Sequence, residues 1–528
     1  MVQGMLKFHA KRSRHVDFLP CAFRQVNPKV NIYGLTPMEG VFALQTGWNG
    51  GFCCVMPAPA HQMMKPSEVA DFERRLNGFI RAKPIWVARV PARLDVMGGI
   101  ADYSGANVCQ ATLGAGVLAA VQARRDRIVR IRTERAGGEG LPVETEFSLE
   151  EVEDACADYA SVRARFAAHS LASWAAYAGG SLVALLREEG IRLPTGFHLR
   201  LLATAPMNAG IASSAAVEIG TLCALNAWLG LGLGADRIAQ LGQIAENRVV
   251  GAPCGIMDQM AIASGRRGKL LHVVCRPGSV EGRVDVPRGT GFVGINSMVR
   301  HSVAAAPYGD VRIGAFMGRR ILNGLRKQKG LPPLSYLTEL TGNELAAAER
   351  HLPGRMTGAD FLARHRTHED TATVIRPGTV YRVRGPVRHA VLENERVLRF
   401  MEALRSARNG DEAGCAAAGR EMVAAHESYR DECRLSVPEV DALVEAVRRI
   451  GPRKGLYGAK ITGGGAGGTV AVFGRREALT QHIPGIAAEH ARRMGAAPDV
   501  FWGTSPGAFE FGARRYAPRA GGWTWQPA

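Results

Sequence analysis

The chain reads as an α+β protein of two lobes, and three observations lead there. Strand-like runs are mixed with helical ones without settling into a regular βαβ repeat. One strand–loop–helix unit stands out over 197–229, because its connection, APMNAGIASSAAVE, carries the proline, glycine and serines of a specialised turn. The second half holds four long helical stretches and ends with a glycine-rich turn and a strand. A length of 528 residues suffices for two or three domains and a sizeable core.

Residues 1–84 are the least legible. Loops containing Gly and Pro at 47–51 and 57–66 precede a helix over 67–81, with Ser67 as its N-cap. A short strand at 85–90 runs into Pro91, and the alternation RIVRIRT gives another at 127–133. Helices are expected over 149–168 and 170–189. FHLRLLAT at 197–204 is a strand, and the apolar run 215–229 is a buried helix. A further helix spans 235–248 and is broken by Gly-Ala-Pro-Cys-Gly. Strands are expected at 269–274 and 291–297, then helices at 313–328, 388–407, 412–429 and 437–450, and a strand at 469–473. After about residue 513, Arg, Gly, Pro and Trp mark a surface segment.

Composition narrows the class. The apolar share of 46% and charged share of 22% are those of a soluble globular chain. Lys and Arg exceed Asp and Glu by 66 − 48 = 18, which suits an anionic ligand or a weak unspecific attraction to nucleic acid. With no zinc-finger spacing, basic zipper or RNP-like aromatic run, a nucleic-acid partner is not expected. Ten cysteines without a C-x-x-C point to a reducing cytoplasm rather than a disulfide framework. The basic N-terminus lacks an apolar signal region. The apolar stretch 211–233 contains Glu218 and several Ser, Asn and Gly, so it reads as a core helix and no membrane is expected as a partner.

Four segments carry chemistry. The loop APMNAGIASSAAVE leaves backbone N–H groups at a helix N-terminus, with Ser213 and Ser214 in reach of a phosphate or its magnesium ion; a serine-capped helix is the alternative. PARLDVMGGIADY places Arg93 beyond a proline at the end of a strand, with Asp95 and Asp102 nearby and Gly98–Gly99 open to close approach; an Arg–Asp surface pair is the alternative. In ENRVVGAPCGIMDQM, Asp258 sits in an apolar run, where a carboxylate needs a partner, as a catalytic acid or base has; a helix-capping aspartate is the alternative. KITGGGAGGTV exposes backbone N–H groups as an anion nest or forms a hinge, and it matches neither a Walker loop nor a dinucleotide fingerprint.

In chain order these four segments resemble the signature motifs of the GHMP small-molecule kinases, in the galactokinase-like branch. NSMVRHSVAAAPYGDVRIGAF and HESYRDECRLSVPEVDALVEAV are similar to further stretches of that branch, and the resemblance covers roughly 85–512. It implies a ribosomal-protein-like α+β N-terminal domain at 85–290 and a C-terminal α+β sandwich at 291–515. An extension at 1–84 and a tail at 516–528 flank them. It implies ATP as co-substrate, its phosphates held by Asn208, Ala209, Gly210, Ile211, Ala212, Ser213, Ser214 and Ala215, and by Gly463, Gly464 and Gly465 from the second lobe. Mg²⁺ would be held by Ser214 and Glu246. Asp258 would face the acceptor hydroxyl, with Arg93 between it and the γ-phosphate. Asp102, Gly255 and Tyr308 would contact the sugar, and Trp174 would lie near the adenine. The reaction implied is ATP plus sugar giving ADP plus sugar 1-phosphate.

Galactokinases read G-E-H-T-D-Y where this chain has Gly98-Gly99-Ile100-Ala101-Asp102-Tyr103. The Glu and His that contact the sugar's hydroxymethyl group are missing, so Gly99 and Ile100 suit a sugar without one. RLDVMGGIADYSG, MTGADFL, HEDTATVI and LYGAKITGGGAGGTV also resemble the kinase part of plant-type L-arabinokinases. L-Arabinose is therefore the expected substrate, with galactose or a related sugar or heptose derivative as the alternative. A non-catalytic sugar sensor is the more remote alternative, because Ser213-Ser214-Ala215, Asp258 and Arg93 are all present.

Overall fold

The computed structural model describes residues 79, 82–133, 143–156, 158–168, 173–299, 306–519 and 522–527. They fall in one compact unit, Pro57–Ala528. The expected helix over 67–81 lies outside the described residues but for residue 79, and so does nearly all of the 1–84 extension.

Two sheets organise these residues. The larger has nine strands: β1 (Ile85–Met97), β2 (Asn107–Ala123), β3 (Ile128–Thr133), β4 (Glu144–Ser148), β5 (Phe197–Ala203), β6 (Lys269–Val274) and β7 (Ser279–Asp285), joined by β14 (Ala513–Arg519) and β15 (Gly522–Pro527) from the far end of the chain. The order is β15-β14-β1-β2-β5-β3-β4, with β6 on the first residues of β2 and β7 beside β6. Only β3 and β5 pair in parallel. The smaller sheet holds β8 (Thr290–Asn296), β11 (Leu456–Ile461), β12 (Thr469–Arg475) and β13 (Val500–Phe501) in the order β11-β12-β8-β13. A two-stranded ribbon, β9 (Arg355–Thr357) and β10 (Val380–Arg382), stands apart.

The helices of the first half are α1 (Leu149–Ala155), α2 (Tyr159–Ala168), α3 (Ser173–Glu188), α4 (Ser213–Leu229), α5 (Ala235–Ile244) and α6 (Met257–Ser264). Those of the second half are α7 (Ala306–Gln328), α8 (Gly342–Ala348), α9 (Gly358–His365), α10 (Arg384–Ser406), α11 (Glu412–Ser428), α12 (Pro438–Ile450), α13 (Arg476–Met494) and the short α14 (Ala508–Phe511).

Several elements depart from the sequence reading, each for a local reason. β1 does not stop at Pro91. Its pairing with β2 shifts register between Pro91 and Arg93, and a proline without an N–H is tolerated at such an irregularity. The continuation to Met97 carries Arg93 and Asp95 into the interior. β2 escaped notice because NVCQATLGAGVLAAVQA is buried on both faces and shows no alternation. The helix expected over 149–168 is two, α1 and α2. The one expected over 235–248 ends at Ile244 and continues as a π turn, Ala245–Val250. α13 was hidden by Pro484 inside it. The stretch after 513, read as a surface tail, is instead a hairpin on the sheet edge: β14 pairs with β1 from Ile85↔Tyr516 to Ala88↔Ala513.

Three clusters carry most of the apolar core. One packs the nine-stranded sheet against helices, with Val117, Phe197, Leu182 and Ile219 among its residues. A second lies at the smaller sheet, with Ile295, Val472, Tyr381 and Leu443. The third joins β1 and β2 to elements of the second half through Leu94, Met97, Phe400 and the stacked pair Phe292–Phe473, whose rings are 4.7 Å apart. Leu94 of that cluster alternates with Arg93 and Asp95 along the strand, so the core that anchors one face of β1 fixes where the charged residues of the other face stand.

Candidate active site

Arg93 and Asp258, 165 positions apart, meet in a two-pronged ion pair. Arg93 Nε donates to Asp258 Oδ1 at 2.7 Å and Nη2 to Oδ2 at 2.9 Å, while Nη1 donates to the Gly210 carbonyl at 2.8 Å. The arginine is sealed, but the Asp258 side chain keeps 20% of its surface open. Burial alone would lower the Arg93 pKa; the charges of Asp258 and Asp95 outweigh it and raise the pKa. Asp258 stands in the first turn of α6, just beyond the Gly-Ala-Pro-Cys-Gly break that ends the preceding π turn.

Beside this pair lies the loop 205–212. Asn208, Gly210 and Ala212 alternate in the left-handed region, at φ 58°, 71° and 58°. Such alternation turns backbone amides inward as an anion nest. Ala212 is the N-cap of the 17-residue α4 and supplies no side-chain cap, so the first amides of that helix are left to a ligand. Ala209, Gly210, Ile211 and Ala212 are buried, Ser213 and Ser214 half-buried, Asn208 exposed and Ala215 buried. The smaller sheet clamps the same loop: Thr462 Oγ1 donates to Gly210 O at 3.0 Å and Thr469 Oγ1 to Ala209 O at 2.7 Å. Between these threonines runs the glycine loop, with Gly463 and Gly465 buried and Gly464 half-buried.

Two carboxyls lie behind the nest. Glu246, on the π turn, and Glu218, on α4, are both buried and are bridged by Gln259 Nε2 at 2.8 Å and 3.0 Å. The Ser214 side chain lies beside Glu246 and favours its ionised form. Burial, then the charge of Asp258, pushes Glu246 up to about 7. Burial and Glu246 push Glu218 well above the carboxylate range. Glu218 Oε1, Gln259 Oε1 and Thr221 Oγ1 have no partner. A hydroxyl and a carboxylate are the hard oxygen donors that Mg²⁺ takes, and a carboxylate plus substrate phosphates is its usual shell in kinases. Ser214 and Glu246 therefore fit the ion. Among the described residues, no group of three or more His, Cys, Asp or Glu gathers to hold a metal unaided.

Also near Asp258 lies Asp102, at the start of a 3₁₀ turn, buried and with Oδ1 unpartnered. Burial, then the charge of Asp258, pushes it up to about 7. Gly255 leaves it room, since a Cβ there would stand 1.9 Å from Asp102 Oδ2. Both residues line a cavity of about 340 Å³ together with Tyr103, Asn247, Arg312 and Tyr336. Arg312 is held by Asp370 through two bonds of 2.8 Å and lies 5.2 Å over the Tyr103 ring.

Four of the residues expected to touch ligand are packed against protein. Gly99 and Ile100 do not line the cavity. Gly99 is pressed against Tyr429 and Asp95, and Ile100 is packed in the core of the second half. Tyr308 is buried edge-on against Tyr103, with ring centroids 6.1 Å apart. Trp174 is built into the core at the nine-stranded sheet and only 5% exposed, which leaves little surface for an adenine. Sequence reasoning in turn missed the ion pair of Asp95 and Lys460, both fully buried, at 2.9 Å. The signal was present: each stands between apolar residues of a strand, and a charge buried there must be paired.

Comparison with known proteins bears on this geometry. Residues 176–266 match the family model for the GHMP kinases N terminal domain, and 401–483 that for GHMP kinases C terminal. The chain is 35% identical to an L-arabinokinase of Arabidopsis thaliana over 85% of its own length and 48% of the relative's, so it spans about half the length of that relative. It is 32% identical to a galactokinase of Streptomyces coelicolor over 77% of this chain and 88% of that one. The crystal structure of Lactococcus lactis galactokinase complexed with galactose shares its fold at a TM-score of 0.66 and 22% identity, over 83% of this chain and 98% of that one.

Proposed function

The chain belongs to the GHMP kinase family, and on that premise we propose that it transfers the γ-phosphoryl group of ATP to the anomeric hydroxyl of a galacto-configured monosaccharide, L-arabinose, giving the sugar 1-phosphate and ADP. The observation that carries this reading is the two-pronged Arg93–Asp258 pair, bonded to the Gly210 carbonyl of an uncapped amide nest and close to Asp102 on the wall of a cavity.

Each part has work that phosphoryl transfer requires, which is mostly alignment and charge neutralisation. The nest and the glycine loop bind the phosphates through backbone N–H groups. Arg93, fixed by three hydrogen bonds, offers positive charge to the transferring group at no cost in reorganisation. Asp258, open on one side, orients the acceptor hydroxyl and takes its proton. Ser214 and Glu246 would hold Mg²⁺, which neutralises phosphate charge when bound. Asp102, on the wall of the cavity, hydrogen-bonds a ring hydroxyl.

Support for L-arabinose comes from the residues that stand in place of the galactokinase Glu and His. Gly99 and Ile100 are both packed against protein, and neither sends a polar side chain into the cavity. The likeness to an L-arabinokinase agrees with it. The test is a panel of L-arabinose, D-galactose, L-fucose and D-galacturonate with ATP and a coupled readout of ADP. The highest kcat/KM on L-arabinose is expected. A preference for galactose would select the galactokinase reading, and binding of sugar and ATP without ADP release would select a sensor.

A further inference from the structure

Tyr429 opens the π turn Tyr429–Cys433 that follows α11. The two π turns among the described residues thus carry Glu246 and Tyr429, and such turns are frequent where a side chain must be re-aimed for function. Tyr429 is fully buried, and its hydroxyl donates to the Gly463 carbonyl at 2.8 Å. The Gly463 amide donates to Asp95 Oδ2 at 3.1 Å. The same oxygen accepts from Lys460 Nζ, while Asp95 Oδ1 accepts from Gln110 at 2.8 Å. Both polar groups of this glycine are therefore held by buried side chains, one on β1 and one at the end of α11.

The glycine so held stands beside Arg93 with no room for a side chain between them. A Cβ built on Gly463 would lie 3.1 Å from Arg93 Nη2 and 3.1 Å from the Gly210 carbonyl that Arg93 itself bonds. Tyr429 also fills the space beside the turn of the first half. A Cβ on Gly99 would stand 1.9 Å from its hydroxyl oxygen and 2.2 Å from Asp95 Oδ2. His389 and Glu393 of α10 hold the same turn, His389 Nε2 at 3.1 Å from Gly99 O and the Gly98 amide donating to Glu393 Oε1 at 3.2 Å.

We propose that Tyr429 is a positioning residue for the transfer: its hydroxyl, with the Asp95–Lys460 pair, fixes Gly463 against Arg93 and so keeps the guanidinium aligned on Asp258. The proposal rests on the phosphoryl-transfer reading above. Tyr429 is fully buried and does not line the cavity, so its loss acts on alignment and not on the binding of ATP or sugar. Phenylalanine keeps the ring and its packing and removes only the bond to Gly463.

The experiment compares full-length wild type with Tyr429→Phe in three readouts: steady-state kinetics, thermal melting and amide hydrogen exchange of the segment 462–468. The expected result is a kcat lower by about tenfold or more, with KM for ATP and for sugar within about twofold. The melting temperature holds to within a few degrees, and exchange accelerates in 462–468 alone. Tyr429→Leu, which also removes the ring, lowers kcat further. Unchanged kcat together with unchanged exchange in 462–468 overturns the proposal. So does a fall in kcat accompanied by lower melting and faster exchange throughout the chain, which marks a merely structural role. Should wild type phosphorylate no sugar at all, the kinase reading fails, and the exchange of 462–468 still decides whether Tyr429 holds the loop.

Discussion

Asp102 is a carboxyl held in a dry wall with one oxygen unpaired. Burial raises its pKa to about 7, so the folded protein keeps its proton where the unfolded chain has lost it. The folded state then binds more protons than the unfolded one between about pH 4 and 7, and stability falls as pH rises through that window. Asp102→Asn lacks this dependence. Its melting temperature relative to wild type is expected to climb between pH 5 and pH 8, by the equivalent of about 1–4 kcal/mol; a constant difference would show that Asp102 is ionised throughout. Substrate choice is decided at the same scale. Restoring the galactokinase-type pair with Gly99→Glu and Ile100→His looks, from sequence, like a route to galactose. The structure leaves no space for even a Cβ at position 99, so the double variant is expected to lose more than about 3 kcal/mol of stability in denaturant melts rather than change preference. A folded double variant that prefers galactose would refute this. What sequence made legible were the residues whose type is unusual for their setting: Arg93 beyond a proline, Asp258 in an apolar run, Asp102 after two glycines. What stayed hidden was who meets whom. Tyr429 reads as an ordinary helix residue, and only the tertiary approach of α11 to the Gly98–Gly99 turn gives it meaning.

At the scale of elements, the strand–loop–helix at 197–229 was readable because turn chemistry, apolar run and serines coincide in one stretch. β5 and α4 stand within two residues of where the sequence put them. β1 was cut short and β2 overlooked because burial on both faces removes the alternation that marks a strand, and because the irregularity at Pro91 appears only in the pairing. The nest depends on three left-handed residues, and Ala212 is one that has no glycine freedom. Ala212→Gly is expected to raise stability by up to about 1 kcal/mol in urea melts, because the strain of a Cβ in that region is relieved. A loss of comparable size would mean that the alanine methyl, which packs in the first core cluster, matters more than the strain.

Over the whole molecule, the last described strands return to the first. β14 and β15 extend the nine-stranded sheet past β1, and Tyr516 packs in a small cluster with Ile85, Val87 and Phe79. Deleting residues 513–528 strips that cover and leaves β1 as an open edge. The truncated chain is expected to melt lower and to aggregate in light scattering, with β1 and hence Arg93 less firmly held; unchanged melting would reduce the hairpin to an ornament of the sheet. Arg93 and Asp95 come from β1, Asp258 and the nest from the first half, and the glycine loop and Tyr429 from the second. The site is therefore a product of the assembled chain, and no segment contains it. The most direct test of the account is phosphorus NMR of the product formed from ATP and L-arabinose by wild type and by Asp258→Asn. Phosphate on the anomeric oxygen is expected, formed about 10³-fold more slowly by a variant that melts and binds both substrates as wild type does. Phosphate on another hydroxyl, or a variant as fast as wild type, would contradict it.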